Sequence, residues 1–89
     1  MEKTRVAVIS VIIENGADTE QFNRLLSSAA PYIIGRMGIP YRQRNVNIIS
    51  VAIDAPQDLI SALSGKIGKI RGVSVKTAYS GVFSEDEPQ

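Results

Sequence analysis

The residues with the clearest chemical potential in this chain lie in one stretch, IIGRMGIPYRQR, which covers residues 33–44. Guanidinium groups bind carboxylates and phosphates through paired hydrogen bonds, and a tyrosine hydroxyl adds one further donor. The three arginines and the tyrosine of this stretch could therefore bind an anionic ligand or the acidic surface of a partner: Arg36, Tyr41, Arg42 and Arg44. The same composition also fits an edge hairpin whose charges protect the sheet against aggregation, and the sequence leaves both interpretations open.

Residues 35–38 of this stretch spell Gly-Arg-Met-Gly, which matches the Gly-x-x-Gly turn of KH domains. That turn clamps single-stranded nucleic acid and joins two helices. Here Pro40 follows closely and no apolar helical stripe comes after it, so the context disfavours a KH domain. We expect instead that both glycines belong to a strand and its turn, where Arg36 projects from the face opposite to Ile33 and Met37.

The composition excludes several classes of function. The chain carries ten basic and nine acidic residues, and this balance lacks the basic excess of a dedicated nucleic-acid binder. It contains no cysteine and no histidine, so the commonest metal ligands and the commonest general base are missing. The acidic residues form no convincing catalytic pair by their spacing. We therefore predict no catalytic residue, no metal site, no cofactor and no enzymatic activity.

Hydrophobic periodicity predicts six elements in the order β-α-β-β-α-β. Asp18 is placed to cap the first helix, with Gln21 as its reciprocal partner, and Pro31 ends that helix. Pro56 suits the first turn of the second helix, and Gly72 suits its C′ position. The predicted strands cover residues 5–13, 32–39, 46–53 and 73–79, with a basic turn at 40–45. One domain spans residues 1–83, and we expect a disordered acidic tail at 84–89.

This order of elements is the plan of an α+β, ferredoxin-like sandwich, with a four-stranded antiparallel sheet and two helices on one face. The first and third strands are the most apolar, so we place them as the central pair of the sheet, and we expect that pair to be parallel. Apolar side chains of both strands also point away from the helices. A single copy would leave them in water at a cost of about 25 cal/mol per Å². We therefore predict a homodimer or a tetramer.

A second Gly-x-x-Gly sequence, at residues 65–68, falls inside the second predicted helix. Glycines in a helix interior cost about 1 kcal/mol each relative to alanine. They either let the helix approach a neighbouring element closely or only fray its end, and the sequence is compatible with both.

Three segments together resemble a known family: GRMGIPYR at 35–42, the strand VNIISV at 46–51 and LSGKIGKIRGVSVK at 63–76. Over residues 5–80 the chain is similar to the iron-only hydrogenase system regulators, which are small stand-alone bacterial proteins. The resemblance implies an ACT-like, ferredoxin-like fold, similar to the C-terminal domain of nickel-responsive repressors. Nickel binding does not transfer, because the chain has no histidine or cysteine to act as a ligand.

ACT-like modules commonly bind amino acids at subunit interfaces, near the loop that follows the first strand. The resemblance places that loop at residues 14–18. There Gly16 would let a ligand approach the backbone, and the helix N-terminus that follows offers free N–H groups. The alternative is that Gly16 serves only the turn and Asp18 only the helix cap. The carboxylate of Asp18 would also repel a carboxylate ligand.

The resemblance and the apolar sheet face together imply a non-enzymatic regulatory module of the hydrogenase system. We expect a cytoplasmic homo-oligomer that binds a small effector, such as an amino acid, or a partner protein at its subunit interfaces. We expect neither membrane nor nucleic-acid binding. Single-stranded nucleic-acid binding and a small oligomeric enzyme are the alternative functions. The candidate ligand or interface residues are Gly16, Asp18, Gly35, Arg36, Met37, Gly38, Tyr41 and Arg42.

Overall fold

Six regular elements follow one another in the computed structural model, which describes residues 3–84. Their order is the predicted β-α-β-β-α-β. The elements are β1 (Arg5–Glu14), α1 (Thr19–Ser28), β2 (Ile33–Tyr41), β3 (Val46–Ala55), α2 (Gln57–Gly68) and β4 (Val73–Phe83). Two short 3-10 turns flank β2, at Ala30–Tyr32 and Arg42–Arg44. Among the described residues, no helix has the length and apolarity needed to cross a membrane.

The four strands form one sheet in the order β2-β3-β1-β4. β1 and β3 are the central strands, as predicted, but the prediction that they run parallel is wrong, because they pair antiparallel along their whole length. The reason is topological. The crossover through α1 makes β2 run in the same direction as β1, and the hairpin reverses the chain into β3. Inserted between β1 and β2, β3 is therefore antiparallel to both, which confirms the ferredoxin-like fold.

Both helices cover one face of the sheet. Alternate residues of β1, from Ala7 to Ile13, are at most 2% exposed, and those of β3 from Ile49 to Ala55 are at most 8% exposed. They pack with the apolar stripes of the helices into one core. The buried helix residues are Phe22 and Leu26 of α1 and Ile60, Leu63 and Ile67 of α2. These residues recur at the three- and four-residue spacing of an amphipathic helix, so each helix buries its apolar stripe.

The ends of the two helices match the prediction in part. The backbone N–H of Gln21 donates to Asp18 Oδ1 at 3.0 Å, so Asp18 caps α1 as predicted. Pro56 is the N-cap residue of α2, directly before its first turn. The placement of Gly72 at the C′ position is wrong, because α2 ends at Gly68. Gly72 instead has a φ of +82° in the connection to β4.

The two glycines of α2 differ in their surroundings. A Cβ atom on Gly68 would lie 3.0 Å from Cγ1 of Val75 on β4, whereas a Cβ on Gly65 would meet nothing within 4 Å. Gly68 therefore permits a close approach between α2 and β4. Gly65 has no such role within the described residues.

The ends of the outer strands differ from the prediction. β2 continues through Pro40 to Tyr41, and the basic turn is reduced to the 3-10 turn and Asn45, which has a φ of 55°. β4 runs four residues further than predicted, to Phe83. The backbone N–H of Ser84, the first residue of the predicted tail, donates to the carbonyl oxygen of Thr4 at 2.9 Å. The rest of that tail, residues 85–89, lies outside the described residues.

Candidate functional site

The sheet face that the helices leave uncovered is apolar, and we call it the open face. It carries the alternate residues of the same strands that build the core. Six large hydrophobic side chains on it are between 36% and 70% exposed: Val8, Ile12, Met37, Ile39, Tyr41 and Ile48. Exposed apolar patches of this extent on soluble proteins mark interaction surfaces.

The strand register arranges the open face in three rows that run across the strands. The central row, here called the serine row, is Met37–Ser50–Ser10–Lys76. On one side of it lies the large row, Ile39–Ile48–Ile12–Ser74, and on the other side the small row, Gly35–Ala52–Val8–Ala78. A shallow depression of about 310 Å³ lies on the serine and large rows, around Ser10, Ser50 and Lys76. The open face is therefore apolar at both sides and polar in its middle.

The residues of the serine row were not among the predicted site residues. The sequence nevertheless contains a signal for two of them, because Ser10 and Ser50 interrupt the two most apolar strands, RVAVISVII and VNIISVAI. Only the register shows that the two serines face each other and that Lys76 continues the row.

The first Gly-x-x-Gly sequence lies in β2, which is an outer strand of the sheet. Residues 35–38 lie within β2 and not between two helices, so the KH interpretation is wrong and the strand interpretation is confirmed. Among the described strands, β2 pairs only with β3, which leaves its other edge without a partner strand. A Cβ atom added at Gly35 would meet nothing within 4 Å, and one added at Gly38 would meet only Cγ1 of Ile49, at 3.8 Å.

Arg36 lies on the helix side of the sheet. A register shift between Ile33 and Gly35 places Arg36 opposite the buried residue Val51, whereas Met37 lies opposite Ser50 on the open face. Arg36 therefore shares its face with Ile33, and the prediction that it projects opposite to both Ile33 and Met37 is wrong for Ile33. The physical reason is the β-bulge, because one extra residue reverses the alternation of the side chains that follow.

The guanidinium of Arg36 has two contacts on this side. It lies 5.7 Å from the ring centroid of Phe22, and its Nη1 donates to Asn23 Oδ1 at 3.4 Å. Beside it, a groove of about 430 Å³ runs between α1 and β2, with Leu26 and Ile33 among its apolar lining residues. Most of the five N–H donors of the guanidinium have no partner in these contacts, so Arg36 can still bind an anion.

The loop after β1 borders the largest depression described, about 480 Å³. Gly16 has a φ of +92°, so its conformation is one that other residues adopt only with strain. Asp18 uses Oδ1 to cap α1. Across the depression lie Lys69 and Arg71 from the connection between α2 and β4. The depression therefore contains side chains of both charges.

Tyr41 and Arg42 lie at the same end of the sheet as this loop. The hydroxyl of Tyr41 donates to Gln43 Oε1 at 2.8 Å. A depression of about 150 Å³ is lined by Tyr41, Arg42 and Asn15, and the N–H of Asn15 donates to the carbonyl oxygen of Asn45 at 2.9 Å. The eight predicted residues thus form two groups, one at this end and one along the middle of β2.

Within residues 3–84, no group of three or more histidine, cysteine, aspartate or glutamate side chains could hold a metal ion. The side chains that line the described depressions include arginines, lysines, carboxylates, hydroxyls and exposed apolar groups. These groups bind anions, polar molecules and apolar surfaces.

Comparison with known proteins identifies similar chains. The family model described as "TM1266-like: Iron-only hydrogenase system regulator, putative" matches residues 5–77. The solved structure of the uncharacterized protein TM1266 from Thermotoga maritima has a TM-score of 0.81 and 36% sequence identity to this chain. That match covers 85% of this chain and 96% of TM1266.

A more distant solved structure shares the fold. It is a formyltetrahydrofolate deformylase from Pseudomonas putida KT2440, with a TM-score of 0.60 and 13% identity. The match covers 82% of this chain but only 28% of the deformylase chain, so the likeness concerns the architecture of one part of that enzyme. No functionally curated protein matches the chain.

Proposed function

The chain belongs to the TM1266-like family of iron-only hydrogenase system regulators, and from that premise we propose that it is a non-enzymatic regulatory module that works as a homo-oligomer. Besides a second copy of itself, the module binds a small effector or a partner protein. The single observation that carries the proposal is the open face, because an exposed apolar surface of this size is suited to bind another protein surface.

The open face is large enough for a stable interface. Four strands about 4.8 Å apart, each contributing about nine residues at a rise of about 3.3 Å, give a surface of roughly 19 by 30 Å, or about 570 Å². Two such faces in contact would bury about 1,100 Å², which is above the ~1,000 Å² expected of a biological interface. A second copy brings a face of the same size and apolarity, and it is therefore our proposed occupant.

The assembly is tested by charge substitution on the open face. Ile48→Lys places an ammonium group in the large row, where a stacked partner would bury it, so the variant should sediment as a single folded chain while the wild type sediments as an oligomer. Ala62→Lys is the control, because Ala62 is also exposed but lies on α2, on the helix-covered side of the sheet. Identical masses for the wild type and Ile48→Lys would refute assembly through this face.

The effector site that we propose is the depression beside Gly16. Amino acids are the first class to test, because Lys69 and Arg71 can hold a carboxylate while Glu14 and Asp18 can hold an ammonium group. Thermal-shift and calorimetric titrations with the twenty amino acids measure binding directly. Arg71→Ala should abolish amino-acid binding, whereas Lys66→Ala, on the exposed side of α2, should leave that binding unchanged. No response to any amino acid would remove this class of effector and leave docking of a partner protein as the function.

A partner protein would find its charged contact at Arg36. The guanidinium lies beside the groove between α1 and β2, next to a strand edge that has no neighbour among the described residues. An extended acidic segment could pair with that edge and place a carboxylate on Arg36. Arg36→Gln should then weaken partner binding without changing the oligomer mass, and Arg24→Gln, on the exposed surface of α1, is the control.

A further inference from the structure

We infer that two copies stack their open faces about a two-fold axis that follows the serine row, so that the large row of each copy packs on the small row of the other. The inference rests on the proposed homo-oligomer and specifies its geometry.

The serine row lies at the centre of the sheet. β1 and β3 form ten cross-strand pairs, from Arg5 and Ala55 to Glu14 and Val46, and the pair Ser10–Ser50 is one of the two middle pairs. The large and small rows lie two residues to either side of it, which is a distance of about 6.7 Å along the strands. A two-fold axis through the middle of the face can therefore follow the serine row and exchange the two flanking rows.

This axis brings large side chains opposite small ones. Rotation by 180° about the serine row places Ile48 over the partner subunit's Ala52, and Ile39 over the partner subunit's Gly35. Ile12 lies over the partner subunit's Val8 in the same arrangement. Tightly packed interiors alternate large and small side chains across facing positions, and this arrangement does so where the isoleucines of β2 and β3 face Gly35 and Ala52.

The other aligned arrangement packs poorly. If the two-fold axis ran along the strands, the large row would face the partner's large row, with Ile48 over the partner subunit's Ile12. The small row would face the partner's small row, with Ala52 over the partner subunit's Val8. The two sheets would then touch on one side and leave a gap on the other, which forfeits the contacts that stabilise an interface. A crossing angle of about 30° between the sheets, usual for aligned packing, leaves the central residues opposite one another in either case.

The preferred arrangement encloses a space, with serine hydroxyl groups in its wall, that one copy cannot form alone. Facing sheets lie about 10 Å apart, and serine side chains are too short to fill that distance. The depression at Ser10 and Ser50 in each copy would therefore close into one cavity lined by four hydroxyl groups. Ile12 and Ile48 also line the depression, so the serine hydroxyl groups and Lys76 are the polar groups there that can hold water or a small polar effector.

Lys76 gives this cavity its charge. Its neighbour across the strands is Ser10, and its neighbours on the same face of β4 are Ser74 and Ala78, none of which is acidic. The two-fold axis brings Lys76 close to the partner subunit's Lys76 at one end of the serine row. The cavity therefore favours a small anion over a cation, because an anion would offset the repulsion between the two ammonium groups.

Cysteine cross-linking tests the geometry, because the natural chain contains no cysteine. Ser50→Cys lies close to the centre of the face, so a bismaleimide that spans roughly 10 Å should link two copies in either arrangement. Ile48→Cys and Ala52→Cys distinguish the two axes. About the serine row, each lies roughly 17 Å from its own counterpart, and about 10 Å separates Ile48→Cys from Ala52→Cys of the other copy.

The expected result is linkage in a mixture of Ile48→Cys and Ala52→Cys chains, one of them carrying a size tag, and none above background for either variant alone. Gln21→Cys, exposed on α1, sets that background. Linkage of Ile48→Cys chains to each other, or equal linkage with and without mixing, would overturn the inferred axis. Failure of Ser50→Cys to link at all would instead contradict the stacked interface, and with it the proposed oligomer.

Discussion

The two faces of the sheet are built from the same strands and from similar residues, yet within residues 3–84 only one of them is covered by helices. In β1, Ile9 is fully buried under the helices, whereas Ile12 is 44% exposed on the open face. In β3, Ile53 and Ile48 show the same contrast, at 0% and 43% exposed. Composition therefore does not distinguish the covered face from the open face. The difference is that the chain supplies its own cover for one face, and we propose that a second copy covers the other.

The largest expected difference between the two faces is in the free energy of unfolding that is lost when matched isoleucines are replaced by alanine. Ile53→Ala leaves a cavity in the helix-covered core and should lower the free energy of unfolding by about 2–5 kcal/mol. Ile48→Ala, measured on dilute single chains, should lower it by less than about 1 kcal/mol, since much of that side chain is already in water. Urea denaturation at low protein concentration gives both values. Equal losses would show that the open face is not open in solution.

The sequence predicted this contrast between the faces because alternation in β1 and β3 fixes which side chains share a face. It also predicted the cap at Asp18, whose local hydrogen bond needs no distant partner. The direction of β3 relative to β1 was mispredicted because it depends on the connection through α1 and β2, not on the apolar content of either strand.

The side of the sheet on which Arg36 lies could not be predicted, because the β-bulge at Ile34 is a backbone feature without a distinctive residue. The end of α2 was missed for a different reason. Ile70 continues the apolar stripe and is buried, although it lies beyond the last helical residue, so the periodicity predicts a longer helix than the one that forms. The serine row could be recognised only from the register of all four strands, because its residues come from four separate segments of the sequence.

Alanine substitution at the two glycines of α2 tests how closely this helix packs against β4 on the covered face. Gly65→Ala should stabilise the chain by about 0.5–1 kcal/mol, because the helix loses a flexible residue and the new methyl group meets open space. Gly68→Ala should stabilise less or destabilise, since its methyl group would lie 3.0 Å from Val75. Thermal unfolding of both variants provides the measurement. A larger gain for Gly68→Ala would mean that α2 does not approach β4 as closely as described.

The smallest effect concerns the charge on the open face. Lys76→Gln removes the repulsion between the two copies of Lys76 and should tighten self-association by about twofold to fivefold at low salt. The difference should shrink in high salt, where screening weakens the same repulsion in the wild type. Lys66→Gln, on α2 and away from the open face, should have no effect on the dissociation constant measured by sedimentation. A weaker dimer for Lys76→Gln would contradict the proposed position of Lys76.

Sedimentation equilibrium of the unmodified chain measures whether a second copy covers the open face. We expect a mass of at least twice the 9.6 kDa of one chain at micromolar concentration, with dissociation only on dilution. A single-chain mass that persists up to millimolar concentration would contradict it.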